Sequence, residues 1–380
     1  MNPALSVWLD LCRVIAAGVV FVGHARGLEV APTALAAHWH RTAEDAVIAF
    51  FVISGYVIAW STQRPGTRML DFVEARASRV FSVAIPAVLA TLAIDQFGMR
   101  LDSSLYDPDW QYPKLWFYLP FHWSFLGGTW LGPIDPFSMA SYWSLPYEVW
   151  YYALFGCATL LRGRARTVGI IATLAIMGPR MWLLLPCWWL GVWVYRRLES
   201  AAPPRLAIAA LMMIGSVCAY FAFVAFGVRD GLDAASQAGY AMANAGMPQP
   251  FRPGGSAHPL ADYVVALLFA TFIVGCAGCR IAFGDRLAAL VRTLADYSFS
   301  FYLLHYPLLV LFRAAGWHAV DWDGFAAVVA ITLVGTWLLG QVGERRRSWY
   351  RRGVRHALDG AVVLTARWRA TVADRPMTSK

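Results

Sequence analysis

Apolar residues along this chain fall into long runs separated by short basic stretches, and ten of these runs read as membrane-crossing helices. They lie at roughly 5–27, 44–61, 78–97, 142–161, 167–178, 181–195, 206–227, 260–280, 297–315 and 323–343. A helix of ~20 apolar residues matches the ~30 Å hydrocarbon core of a bilayer. The fifth and sixth runs are short, and Gly178-Pro179-Arg180 either separates them or kinks one longer element. Tyr112–Gly132 is aromatic and broken by Pro113, Pro120 and the adjoining Pro133, so it reads as interfacial or re-entrant. Val228–Pro259, rich in Ala, Gly and Pro, reads as an outer loop too short to be a domain. The pattern predicts an all-α polytopic membrane protein, with a transmembrane domain over 1–343 and a basic tail over 344–380. Within the tail, Ala357–Ala370 is mildly apolar between arginines and is expected to lie on the inner leaflet.

Composition agrees with this class. Only 14% of residues are charged, against roughly a quarter in soluble domains, and the mean hydropathy is +0.50. The first run keeps ionisable residues and lacks a small-residue cleavage site, so it reads as a span and not a signal peptide. Charge then sets the orientation. With the N-terminus inside, the cytoplasmic segments collect Arg64, Arg68, Arg76, Arg79, Arg162, Arg164, Arg166, Arg196, Arg197 and the arginines of the tail, most of the 32 Lys and Arg. The positive-inside rule therefore puts both termini in the cytoplasm. On this reading the net charge of +9 is topological and implies no nucleic-acid partner. The six Cys suggest no disulfide framework. Cys276 and Cys279 have no further ligands near them in sequence, so they read as small-residue helix packing and no metal site is expected.

Arg13 and His24 carry the strongest chemical signal, because both lie inside the first run. Ionisable groups at such depth are costly and normally face a protein-lined or watery cavity. Eleven residues of helix rise ~16 Å and return to nearly the same face. The pair thus places a fixed cation low in the membrane and a titratable base near its outer edge, unless it serves only to bond helices together.

Four more segments put polar groups where lipid-facing helices would not. Ser54-Gly55 interrupts the second run and permits close backbone approach by a helix or ligand. Arg76 and Arg79 share a helical face at the inner mouth of the third, suited either to phosphate or to topological anchoring. The fourth opens with Tyr142-Trp143-Ser144-Leu145-Pro146-Tyr147-Glu148. Ser144 is a plausible N-cap there, and Glu148 is expected near the outer end, at the depth of His24. Such a carboxylate can orient an imidazole, accept a proton, bond a sugar hydroxyl or simply complement the helix dipole. Ser298, Tyr302 and His305 fall on one stripe of the ninth run, which argues for an inward face.

Taken in order, these segments resemble the acyltransferase-3 family of bacterial membrane-bound O-acyltransferases. Arg13 and His24 match its Arg/Lys-x10-His signature, and Phe50 to Gly55 its Phe-Phe-x-x-Ser-Gly segment. Arg76 and Arg79 match its basic pair, and Trp143 to Glu148 its Trp-Ser-Leu-x-x-Glu motif. Ser298, Tyr302, Leu303, His305 and Pro307 match Ser-x-x-x-Tyr-Leu-x-His-x-Pro. Two departures stand out. The family's acid two residues before the paired phenylalanines is Ile48 here, with Asp45 three residues earlier, and its closing Glu-x-Pro is Glu344 followed by Arg346.

The resemblance implies an enzyme of the bacterial plasma (inner) membrane that takes an acyl group from cytoplasmic acyl-CoA, usually acetyl-CoA, with no tightly bound cofactor. The acceptor is a hydroxyl of an exported or lipid-linked glycan, or alternatively a small molecule or lipid. It makes His24, Arg13 and Glu148 catalytic candidates; Arg13, Arg76, Arg79 and Ser54 donor-binding candidates; and Glu148, Trp143, Tyr302 and His305 acceptor-side candidates. His24 has an unperturbed pKa of ~6.5, suited to a general base or an acyl carrier, and the sequence leaves both open. A transporter or flippase is the competing class, but it predicts an internal repeat that the sequence does not display.

Overall fold

The computed structural model describes residues 2–35, 39–63, 66–107, 109–318 and 321–373, and the side chains of all these except 39–40 and 361–373. Arg64 and the tail beyond 373 lie outside the described residues. Every regular element within them is helical. The first seven helices are α1 (Pro3–Gly27), α2 (Trp39–Thr62), α3 (Met69–Gly98), α4 (Leu115–Trp123), α5 (Ser144–Leu160), α6 (Gly163–Met177) and α7 (Pro179–Ser200). They continue as α8 (Leu206–Ala225), α9 (Val228–Asn244), α10 (Pro259–Cys279), α11 (Asp285–Asp296), α12 (Ser298–Ala314), α13 (Trp322–Val342) and α14 (Arg347–Ala373).

Among the described residues, six helices are long and apolar enough to cross a bilayer: α1, α2, α3, α8, α10, and α13 continued by α14. The pair α6 and α7 makes a seventh if counted as one broken span, and it bends by 119° at Gly178. The remaining expected runs form shorter helices. α5 and α12 have 17 residues each and rise ~25 Å, less than a full hydrocarbon core. Ile208, Leu211, Ile214 and Phe221 of α8 are exposed, as a lipid-facing stripe requires.

Close helix approach explains the placement of several glycines. A methyl group at Gly55 of α2 would collide with the Trp188 carbonyl of α7, and one at Gly191 of α7 with the Val52 carbonyl of α2. The two backbones therefore touch, and Ser54 is fixed against α7. Gly275 and Gly278 do the same for α10 against Met213 and Ala209 of α8, around the Cys276–Cys279 turn.

Three segments carry structure that the sequence pattern does not specify. The aromatic stretch contains the short α4, and the chain from there to α5 is tied to the end of α3. Asp95 accepts hydrogen bonds from the Tyr112 hydroxyl (2.7 Å), the Ser138 amide (2.9 Å) and the Ser138 hydroxyl (2.6 Å). The expected loop Val228–Pro259 instead contains helix α9. Its Arg229, Asp233 and Ser236 stand one helical turn apart and all are buried. Arg229 bonds Asp45 and donates to the Arg41 carbonyl at 2.9 Å, and Asp233 pairs with Arg41. The tail is helical as α14, and its first turns dock on α3: Arg351 bonds Glu74, and Arg347 donates to the Ala75 carbonyl at 2.8 Å.

Candidate active site

Two adjoining recesses run inward from the end of the bundle where α13 passes into α14. The outer one is a mouth lined by Arg13, Arg79, Arg345 and Arg347 with Asp10, Asp296 and Glu344. Two of its carboxylates are engaged: Asp10 lies 3.6 Å from Arg13, and Glu344 accepts from the Ser300 hydroxyl at 2.9 Å; Asp296 is a like-charge neighbour of both. Arg345 lies over the Tyr297 ring. The inner recess shares Arg13, Arg79, Ser298 and Phe299 with the mouth and adds Ser54, Ser144, Glu148, Tyr152 and Tyr302. Helices α1, α2, α3, α5 and α12 each contribute a wall.

Ser54 and Glu148 form the polar floor of the inner recess. The Ser54 hydroxyl donates to Glu148 at 2.7 Å, and the Tyr152 hydroxyl donates to the same carboxylate oxygen. Trp188 Nε1 donates to Ser54 Oγ at 3.2 Å. Glu148 also sits within electrostatic reach of Arg13 and Arg76. Hydroxyl bonds to a charged carboxylate are charge-assisted and fix its orientation.

Ser144 and Tyr302 also line the recess, with their hydroxyls 2.8 Å apart. Ser144 was expected to cap α5; it is instead the first helical residue, and its hydroxyl turns to α12. Directly beyond Tyr302 on the same stripe lies His305, fully buried. Its Nε2 is 2.8 Å from Nδ1 of His24, and the two ring planes lie within 7° of each other with centroids 5.1 Å apart. Tyr306 meets the His24 ring edge-on at 5.0 Å.

The expected site residues thus divide between two stations. Arg13, Arg79, Ser54, Glu148 and Tyr302 share the inner recess, while His24 and His305 pair beyond it. Glu148 lines the inner recess together with Arg13, and its bonding partners are Ser54 and Tyr152. Arg76 is turned aside and donates to the Ser61 hydroxyl at 3.1 Å. Trp143 packs edge-on against Tyr147 and Phe51, outside the recess. Asp45, three residues before Ile48, accepts on Oδ2 from the Tyr220 hydroxyl at 2.7 Å and from Arg229. His305, an acceptor-side candidate, has no exposed surface and touches His24 instead.

Sequence reasoning missed Tyr152, Trp188 and Asp135. Tyr152 was legible in principle, one turn from Glu148 on the same helix. Trp188 carried no signal, since only the α2–α7 contact brings it in. Asp135 precedes α5 in an irregular segment, acts electrostatically on Tyr302 and Tyr306, and is pushed by burial up to about 8.

Comparison with known proteins adds a family. The sequence model of a family described as "Acyltransferase domain" matches residues 6–341. An "O-acetyl transferase" of Shigella phage Sf6 is 35% identical over 94 residues, which is 25% of this chain and 27% of the phage protein. The chain thus matches only about a quarter of that relative's length. No solved structure matches.

Proposed function

The chain belongs to the acyltransferase-domain family, and on that premise we propose that it is a membrane-bound O-acyltransferase. It moves an acyl group, acetyl in the first instance, from cytoplasmic acyl-CoA to a hydroxyl of an exported or cell-surface glycan. In this reading the ten apolar runs lie in the bacterial inner membrane with both termini in the cytoplasm, and the arginine-lined mouth faces the donor.

The observation that supports it is one polar path. It runs from Arg345, Arg347, Arg79 and Arg13 through Glu148 and Ser54 to Tyr302 and Ser144, and then to His305 and His24. Guanidinium groups suit the phosphates of CoA. The arm of the donor then points along α1 from Arg13 towards His24, ~16 Å further on. At His24 an imidazole either deprotonates the acceptor hydroxyl or carries the acyl group between donor and acceptor. Glu148 serves the donor half as counter-charge to the arginines, and Tyr302 stands between the halves.

Binding of acetyl-CoA to the purified protein, followed by glycan O-acetyl content in the native cell with and without it, tests the reading. Absence of acetyl-CoA binding removes the donor. Unchanged O-acylation of every surface glycan removes the glycan and leaves a small-molecule or lipid acceptor.

A further inference from the structure

We infer that His305 is the positioning residue of His24: it fixes the proton of His24 on Nδ1, so that acyl transfer runs through Nε2 of His24. The inference rests on the acyl-transfer reading above and assigns the reacting atom within it.

The argument starts from His305, whose ring is fully buried. Its Nδ1 lies 3.1 Å from the Phe301 carbonyl one turn back on α12. A carbonyl only accepts, so this nitrogen carries the hydrogen. A neutral imidazole has one N–H, and burial without an acidic partner favours the neutral ring. Nε2 of His305 therefore presents a lone pair, and it presents it to Nδ1 of His24 at 2.8 Å. His24 must donate there, which places its own lone pair on Nε2. The geometry around the pair is fixed by packing: Phe301 stacks on His305 at 5.9 Å, and Phe21 meets it edge-on at 6.2 Å.

An imidazole is a reasonable orienting group at this depth. A buried carboxylate would carry a fixed charge in a low-dielectric site, whereas neutral His305 costs less and still accepts a proton. The acid of α2, Asp45, uses its Oδ2 for Arg229 and Tyr220.

Both routes left open above then balance at the same atoms. In direct transfer, the acceptor O–H gives its proton to Nε2 of His24 while its oxygen attacks the thioester carbonyl. The C–S bond breaks, and the CoA thiolate leaves and takes that proton. In the covalent route, Nε2 itself attacks the carbonyl and the C–S bond breaks. The acceptor oxygen then displaces the imidazole, and its proton passes to the CoA thiolate. In each, positive charge develops on His24 while its Nδ1–H points at the lone pair of His305, so the charge is shared between two rings.

The test uses full-length protein carrying ¹⁵N-labelled histidine, with the His24 signals identified by their loss in His24→Gln. We expect a protonated Nδ1 and an unprotonated Nε2 on His24, with a through-hydrogen-bond coupling from His24 Nδ1 to His305 Nε2. His305→Leu removes the acceptor, so His24 should lose its single proton arrangement and kcat should fall by about 100-fold, with KM for acetyl-CoA within a few-fold of wild type. His305→Gln offers an amide oxygen in the same place and should recover both the Nδ1 proton and part of kcat. A His24 protonated on Nε2 in the wild-type protein, or a His305→Leu protein at wild-type rate, overturns the inference. Failure of the wild-type protein to bind acetyl-CoA instead counts against the acyltransferase reading, and the nitrogen spectrum still decides the proton arrangement.

Discussion

Ser54 and Glu148 meet at 2.7 Å in the recess that Arg13 and Arg79 also line, with the Tyr302–Ser144 contact between them and His24. This makes the carboxylate a partner of the arginines. Its charge offsets Arg13 and Arg76, which otherwise crowd like charges into a buried space.

Glu148→Gln keeps the shape and removes that counter-charge. The guanidiniums should then repel and reorient, raising KM for acetyl-CoA several-fold while KM for the acceptor stays nearly constant. Steady-state kinetics with each substrate varied in turn check this; an effect confined to the acceptor would move Glu148's work to the His24 station.

Arg13→Ala and His24→Ala should each abolish transfer, with losses on the order of 10²–10⁴-fold for the imidazole, while membrane abundance stays near normal. Quantitative immunoblotting beside the transfer assay separates lost chemistry from lost protein. Near-full activity of either variant would sink the proposed path.

Arg345→Ala and Arg347→Ala should weaken acetyl-CoA binding, and wild-type binding should decline with added salt more steeply than that of either variant, because exposed charge pairs are screened. Titration at two ionic strengths measures it. Equal salt slopes in all three proteins would place the donor phosphates elsewhere.

Gly55→Ala should destabilise the bundle by roughly 1–3 kcal/mol through overpacking against the Trp188 carbonyl. Since the same contact seats Ser54, activity should fall with stability. Thermal unfolding in detergent gives the first and the transfer assay the second.

Acid should loosen α9 before it loosens the rest. Burial holds His258 below its usual pKa, with Arg41 and Arg229 acting in the same direction and Glu44 against them. Arg41 donates to its Nε2 at 3.0 Å, so the folded state holds it neutral there. The unfolded imidazole takes up a proton near pH 6.5. The contribution is therefore full above that value and is lost as pH falls through it towards the lower folded pKa. Hydrogen exchange of α9 at pH 7.5 and 5.5 reads this directly, and His258→Gln should remove the difference.

How much of this was legible in the sequence follows from what each signal depends on. Long apolar runs, Arg13 and His24 on one helix face, and the Ser298–Tyr302–His305 stripe depend on local period, and they reappear as α1 and α12. Glu148 meets Ser54 of α2 and lines the recess with Arg13 of α1, contacts between helices that no period within α5 shows. Helix α9 was missed because Ala and Gly masked the spacing of Arg229, Asp233 and Ser236, whose partners Arg41 and Asp45 lie on α2. The His24–His305 contact joins residues 281 positions apart, and no period within either helix announces it.

The hydroxyl contact between Ser144 and Tyr302 has a bioenergetic consequence. A chain that admits a hydrated donor from one face and a hydrated acceptor from the other risks becoming a wire for protons, and His24 with His305 would be its terminal. A bacterium that stores its energy as a proton gradient cannot tolerate such a leak. On the proposed acyl-transfer reading, the buried Tyr302 ring and its bond to Ser144 would limit proton passage between the two stations, and a Tyr302→Ala protein should betray itself by acidifying the interior of vesicles held under an inward proton gradient.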